Sequence, residues 1–305
     1  MKERIFITGA LGQLGQEFIK YFVKNNIYVL ASDIRSPKNK LNCDFEIANA
    51  MDKDRLDTLI KEYRINTIYH LVAILSATGE KNPFNSWKLN MESFQNIIEI
   101  SISNKINKIF WPSSIAVFGT KSNLENVIQD PILNPETIYG ISKLAGEKLI
   151  RYYNNKFDLD IRSLRYPGII SFKSQPGGGT TDYVMEMIES LKKGENYTCF
   201  LNKDTRLPML YIDDAILGTI KYMSTEKKKL SVEESYNITG FSITPQELEE
   251  KLKEIGCKGM VIYKPDFRNK IANTWPKEIN DSVARRDWDW KANFGLNETL
   301  KETFI

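Results

Sequence analysis

Tyr139 and Lys143 stand four residues apart in the string Tyr-Gly-Ile-Ser-Lys. On a helix that spacing puts them on one face, a turn apart, where an ammonium can hold a positive field over a phenol oxygen. A free tyrosine titrates near ~10, so a phenolate useful near neutrality needs a shift of roughly 3 units, or about 4 kcal/mol. With that shift the tyrosine can serve as general base toward an alcohol. Helix packing alone often produces such a pair, so its meaning depends on its surroundings. Upstream, Ser114 closes the run Ile109-Phe-Trp-Pro-Ser-Ser, read as one strand. A hydroxyl at a strand's carboxyl end can hold the reacting oxygen of an alcohol or carbonyl beside the base.

The elements that must position these groups begin at the first residues. Arg4–Thr8 reads as a strand, and Leu14, Phe18 and Phe22 recur at helical spacing behind Gly9-x-x-Gly12-x-x-Gly15. Glycines between a strand and a helix form a phosphate-binding turn: Gly9 allows the bend, Gly12 the approach of a pyrophosphate, Gly15 close helix packing. Gln13 and Leu14 lie at the helix end that faces the anion. The second strand, Ile27–Ser32, ends at Asp33, where a carboxylate accepts from ribose hydroxyls and repels a 2′-phosphate. Arg35 would tolerate that phosphate, but Asp33 favours NAD over NADP. Ile34 adjoins it, and Asp44-Phe45, closing a third strand, are within reach of an adenine. The fourth strand, Thr67–Ala73, brings Leu71, Val72 and Ala73 to the nicotinamide half, followed by hydroxyls at Ser76 and Thr78 that suit a small polar substrate. The Tyr139 helix runs to about Phe157, and Asp160–Tyr166 is the sixth strand. These alternations predict an α/β fold: a Rossmann-type doubly wound parallel sheet over 1–168, with a smaller C-terminal substrate-binding lobe over 169–305. Segments around 205–240 return to the main domain.

Two later stretches carry chemistry of their own. Pro176-Gly-Gly-Gly-Thr-Thr-Asp182 precedes an amphipathic helix. Its glycine amides can form a nest for a carboxylate, or the stretch is a hinge with Asp182 as N-cap. Gly178, Gly179, Thr180, Thr181 and Asp182 are therefore substrate candidates. Phe84–Ile102 carries apolar residues on more than one stripe, which suits burial against the sheet plus a partner subunit or a lid. Pro208–Ile212 reads as a strand with Asp213 capping the next helix.

Bulk properties narrow the class. A net charge of +3, with no basic cluster interleaved with aromatics, argues against a nucleic-acid surface. Three scattered cysteines (Cys43, Cys199, Cys257) and one histidine offer neither a disulfide framework nor a metal cluster, so no metal is expected. His70 lies in an apolar run and reads as a packed, hydrogen-bonded residue. No apolar run spans a membrane, and the first strand begins at about Arg4, so the expected location is the cytoplasm.

Together the glycine turn, Asp33, the Ser113-Ser114 pair with Gly119, and Tyr139-x-x-x-Lys143 resemble the extended short-chain dehydrogenase/reductase family over essentially the whole chain. Further strings resemble its short-chain L-threonine 3-dehydrogenase branch: His70-Leu-Val-Ala-Ile-Leu-Ser-Ala, Trp87-x-x-Asn90-Met, Trp111-Pro-Ser-Ser-Ile, Arg165-Tyr-Pro-Gly-Ile-Ile, Pro176–Tyr183 and Leu207-Pro-Met-x-Tyr-Ile-Asp-Asp. The chain departs from the family in having Ser114 where some relatives have threonine, and Phe118 where many have tyrosine. The resemblance implies NAD-dependent, metal-independent oxidation of the L-threonine β-hydroxyl to 2-amino-3-oxobutyrate, which a CoA ligase then consumes. It implies Tyr139 as base, Lys143 on the nicotinamide ribose and lowering the phenol's pKa, Ser114 on the substrate oxygen, and threonine near Ser76 and Gly178–Asp182. Asn90 and Tyr166 join the cofactor set on the same ground, and a homodimer is implied through the Phe84–Ile102 and Tyr139–Phe157 helices. The rival readings are a nucleotide-sugar epimerase or dehydratase that retains NAD, and a non-catalytic dinucleotide sensor.

Overall fold

The computed structural model describes residues 2–172 and 177–304, so Pro176 of the glycine string lies outside the described residues. The first half comprises β1 (Arg4–Thr8), α1 (Gln13–Lys24), β2 (Tyr28–Asp33), β3 (Asp44–Ile47), α2 (Lys53–Glu62), β4 (Thr67–His70), α3 (Ser76–Gly79) and α4 (Pro83–Asn104). Then follow β5 (Lys108–Phe110), β6 (Ser113–Ser114), α5 (Ile138–Phe157), β7 (Ile161–Tyr166), β8 (Gly168–Ile170), α6 (Tyr183–Lys192), β9 (Tyr197–Cys199), β10 (Leu207–Tyr211) and α7 (Ile212–Ser224). The chain ends with β11 (Ser235–Asn237), β12 (Phe241–Ile243), α8 (Pro245–Glu254), β13 (Val261–Tyr263), α9 (Phe267–Ala272), α10 (Ser282–Trp288) and α11 (Leu296–Phe304).

The main sheet runs β3-β2-β1-β4-β5-β7-β11, with β6 on the end of β7, and every pairing in it is parallel. Strand order reverses between β1 and β4, which opens a crevice at the carboxyl ends there. A strand's two-residue period decides which layer each side chain joins. Ile5 and Ile7 of β1 pack under α1 and α7 with Phe18, Phe22, Tyr69 and Tyr222, whereas Phe6 joins Leu56, Phe94, Ile97 and Ile150 beneath α2, α4 and α5. Each fully buried aromatic or branched side chain here is worth roughly 1.5–3 kcal/mol. A third core gathers Met187, Leu191, Leu207, Leu248 and Trp275 of the C-terminal lobe against Val117, Phe118 and Tyr139. That lobe holds a three-stranded sheet, β12-β10-β8, and the pair β13-β9. Among the described residues no helix is long and apolar enough to cross a membrane.

Several boundaries differ from those read off the sequence. The fourth strand stops at His70, because the chain then leaves the sheet for Asn90: that side-chain amide accepts from Ile74 N at 2.8 Å and donates to Ile74 O at 3.2 Å. The fifth strand breaks at Trp111-Pro112, where proline has no N–H for the ladder, and resumes as β6 beside Arg165 and Tyr166. Asp44 and Phe45 open β3 instead of closing it. Asp213 is not a cap: β10 passes directly into α7, leaving Tyr211 at the cap position and Asp213 within the first turn. His70 is fully buried, with Nδ1 2.7 Å from Thr8 Oγ1 and Nε2 3.1 Å from Ser93 Oγ, and burial lowers its pKa to about 3. It is a neutral core residue.

Helix α5, which carries Tyr139 and Lys143, is set by three local devices. Thr137 caps it, accepting from Gly140 N at 3.1 Å. Gly140 lies so close to the turn after Ser114 that an added Cβ would sit 2.1 Å from Ala116 O. At Gly146 an added Cβ would fall 2.2 Å from the Trp111 indole. Because Trp111 is buried and stacked on Phe94 at 4.6 Å, it cannot yield cheaply. Gly146→Ala is therefore expected to lower stability by about 1–3 kcal/mol, the usual cost of overpacking, read as a fall in the denaturant midpoint at unchanged m-value. An unshifted midpoint would show that α5 can move away without loss.

Candidate active site

Two glycines and a bare helix end make the cofactor cradle. Gly9 holds φ +68°, a conformation that costs other residues strain, and an added Cβ there would meet Leu71, Val72 N and Val72 Cγ2 at 3.1–3.2 Å. At Gly15 the same test gives contacts of 2.6–2.8 Å with the Ala10 backbone, which is the close helix–strand packing expected of it. Gly12 caps α1 without any side-chain hydrogen bond, and the first turn holds no acidic residue. The amides of Gln13, Leu14 and Gly15 therefore present a positive helix end to the crevice. Asp33, at the tip of β2, accepts from Leu11 N (3.1 Å) on one oxygen and from Arg35 N (3.2 Å) on the other. Arg35 also turns its Nε onto Asp33 at 3.3 Å, which draws the guanidinium toward that carboxylate. Ile34 is exposed beside it, an apolar surface where an adenine would lie. These residues fit a dinucleotide.

Other candidates in the cofactor set are placed less directly. Asp44 accepts from Tyr28 Oη at 2.5 Å, and Phe45 is half-buried. Leu71, Val72 and Ala73 lie on the connection leaving β4, half-buried next to the glycine turn. Asn90 is committed to the Ile74 backbone and, at 3.3 Å, to Ser142 Oγ, so it shapes the wall of the crevice. Tyr166 buries its ring against Phe110, bonds its hydroxyl to Thr219 and pairs with Ser114 across β6 and β7.

The three catalytic candidates meet where β6 faces the start of α5. Ser114 Oγ accepts from Ala116 N at 3.2 Å and lies beside the Tyr139 phenol. Burial pushes Tyr139 up to about 12, an effect the Ser114 hydroxyl partly offsets. Lys143 is fully buried; its Nζ donates to Pro112 O at 2.7 Å and rests 4.1 Å from the Trp111 ring centroid and 5.6 Å from that of Tyr139. Burial pulls this ammonium down to about 7, against the opposing pull of Glu147. The lysine thus serves the 112–114 segment, and burial favours the protonated phenol.

The glycine string folds back onto α3. Ser76 Oγ and Thr180 Oγ1 lie 3.1 Å apart, both buried, and Thr78 Oγ1 is 3.4 Å from Gly178 O. Thr181 packs on Gly168. The amide nest is real, but its occupant is internal: Gly178 N and Gly179 N each donate to Asp182 Oδ2 at 2.8 Å. Asp182 therefore stands at the head of α6 without capping it, and burial raises its pKa against those two amides. Beside it opens a cleft of about 500 Å³ between α3, the glycine string, α6 and α9, lined by Thr78, Lys81, Glu186 and Arg268.

Sequence reasoning passed over Glu147 and Arg165. Glu147 is wholly buried, accepts from Ser113 Oγ at 2.6 Å, and pairs with Arg165 through Nε at 3.0 Å and Nη2 at 2.9 Å. The signal was available: Tyr139, Lys143 and Glu147 follow one another at intervals of four down one helix face.

Residues 5–239 match the model of the NAD dependent epimerase/dehydratase family. An uncharacterized epimerase/dehydratase of Staphylococcus aureus (strain USA300) is 39% identical, covering 98% of this chain and 95% of its own length. A partial consensus L-threonine 3-dehydrogenase has a similar structure, with TM-score 0.96, 44% identity, and coverage of 98% of this chain and 97% of that one. The holo form of a GalE-like L-threonine dehydrogenase from Cupriavidus necator gives TM-score 0.95, 42% identity and 98% coverage of both chains.

The ligand-free site makes a direct prediction. Ultraviolet difference titration of wild type against Tyr139→Phe should show no phenolate assignable to Tyr139 below about pH 10, the ordinary tyrosine value. A midpoint near neutrality would mean that the protein alone, without ligand, ionises this residue.

Proposed function

The chain belongs to the NAD-dependent epimerase/dehydratase family, with NAD as its cofactor, and on that premise we propose that it oxidises the β-hydroxyl of L-threonine to 2-amino-3-oxobutyrate. The observation that carries this reading is the buried seam where Ser76, on α3, meets Thr180 at 3.1 Å, α3 itself packing against the Tyr139 helix α5. It offers a few hydroxyl groups on a scale suited to a small hydroxylated amino acid. The resemblance to two threonine dehydrogenases over nearly the full chain supports it.

In this reading Gly9, Gly12, Gln13, Leu14 and Gly15 hold the pyrophosphate of NAD, Asp33 the adenosine ribose and Lys143 the nicotinamide ribose. NAD, when bound, accepts the hydrogen and electron pair that leave Cβ. The protein's own task is the proton. Ser114 Oγ orients the substrate hydroxyl and stabilises charge on its oxygen, and Tyr139 Oη removes the proton. Since burial disfavours the phenolate and the lysine ammonium alike, Tyr139 would ionise only where a neighbouring positive charge, such as an oxidised nicotinamide would supply, offsets that cost. Threonine catabolism through a CoA ligase, and a homodimer, belong to the same reading. Phe84 is 89% exposed, with Trp87 beside it on α4 and Ile141 on α5 also open, apolar groups that a second copy would cover.

The test is NADH absorbance with pure protein, NAD and a panel of β-hydroxy amino acids. L-threonine should give NADH, and Tyr139→Phe should cut kcat by at least ~100-fold, the scale of general-base loss, while NAD affinity stays near wild type. Silence with threonine but turnover of a nucleotide sugar, without net NADH, would favour the epimerase reading suggested by the name of the staphylococcal relative.

A further inference from the structure

We propose that Glu147 is a positioning residue of this active site, which clamps the 112–114 segment onto α5 through Ser113 and supplies the anion that Lys143 needs in a dry interior. Three successive turns of α5 grip three successive residues of that segment. Tyr139 lies against Ser114, Lys143 Nζ donates to Pro112 O at 2.7 Å, and Glu147 accepts from Ser113 Oγ at 2.6 Å. Ser113 immediately precedes the hydroxyl proposed to hold the substrate oxygen, and β6 is only two residues long. A strand that short has little ladder to fix it, so a charge-assisted hydrogen bond from Ser113 sets the position of Ser114 against the phenol.

Glu147 is itself over-determined. Arg165 on β7 forks onto its carboxylate, and the guanidinium spends its remaining reach on Gln129 O at 2.8 Å and Asn237 Oδ1 at 3.1 Å. Ser113 and Arg165 are register partners across β6 and β7. The clamp therefore closes a ring of α5, β6 and β7 around one carboxylate. The titratable and charged groups around Lys143 are Tyr139 and Glu147 on α5, His70 on β4 and, behind Glu147, Arg165 on β7. His70 is neutral and Tyr139 protonated, so Glu147 is the one anion among them. Asp cannot replace it at the same reach, and Gln keeps the shape without the charge.

The charge arm of the test needs no turnover, which separates it from the threonine reading on which the clamp arm rests. Wild type, Glu147→Gln, Ser113→Ala and the double variant Glu147→Gln/Arg165→Met are checked for folding by circular dichroism and thermal melting. The double variant removes the orphaned guanidinium that could unfold Glu147→Gln alone. In ligand-free protein with isotope-labelled lysine, NMR of the Lys143 Cε signal, assigned with Lys143→Arg, should show the midpoint falling by at least about one pH unit in Glu147→Gln, and by less in the double variant, which also removes the cation behind the carboxylate. In Ser113→Ala the midpoint should hold, while kcat with NAD and L-threonine falls at least about tenfold and KM for NAD stays within about threefold. An unmoved Lys143 midpoint in the folded Glu147 variant overturns the proposal, and so does full turnover in Ser113→Ala. A shifted midpoint in a protein inert toward threonine would overturn the substrate reading and leave Glu147 in its place.

Discussion

The site depends on one constraint: helix α5 must lie almost in contact with the segment from Trp111 to Ala116. Gly140 and Gly146 remove the side chains that would hold it off, against Ala116 O and the Trp111 indole respectively. The approach brings Tyr139 to Ser114 and Lys143 to Pro112. It also excludes water, and from that exclusion come the electrostatics. The same close packing that aligns the reacting groups makes each of them reluctant to carry charge.

That reluctance organises the chemistry. Burial raises the phenol to about 12 and lowers the ammonium to about 7. The phenol keeps its proton, and the pair is turned inward to Pro112, Trp111 and Ser114. Glu147 on α5 and Arg165 on β7, buried and paired, hold the frame beside it.

Much of this was legible in the sequence because it rests on local rules. Gly9, Gly15 and Asp33 follow from a strand–turn–helix pattern, and the structure puts each where the pattern requires: a left-handed turn, a close helix contact and a strand tip. His70 was readable as core from its apolar neighbours. What failed to show were partnerships across distance. Nothing near Asp182 says that its carboxylate will fill the Gly178–Gly179 nest instead of capping α6, since both outcomes use the same residues. Nor does the run from Ile109 reveal that Pro112 breaks the strand, because Ser113 and Ser114 rejoin the sheet through β7, some fifty residues on. Asn90 joins the cofactor set through resemblance, and nothing around it in the chain shows that its amide also holds the Ile74 backbone. Glu147 went unread because an acid on a helix is usually solvated, and only the tertiary fold buries this one beside Arg165.

The Ser76–Thr180 contact joins residues 104 positions apart in the chain. Every group proposed to hold the dinucleotide precedes position 167, whereas half of this seam comes after it. Contacts between such distant segments form late, since the loop between them must be closed before they contribute. The cradle for the dinucleotide and the compartment beside it are thus completed only in the finished fold, α1 itself being covered by α7. A ligand that touches both segments would add its binding free energy to the stability of the whole chain.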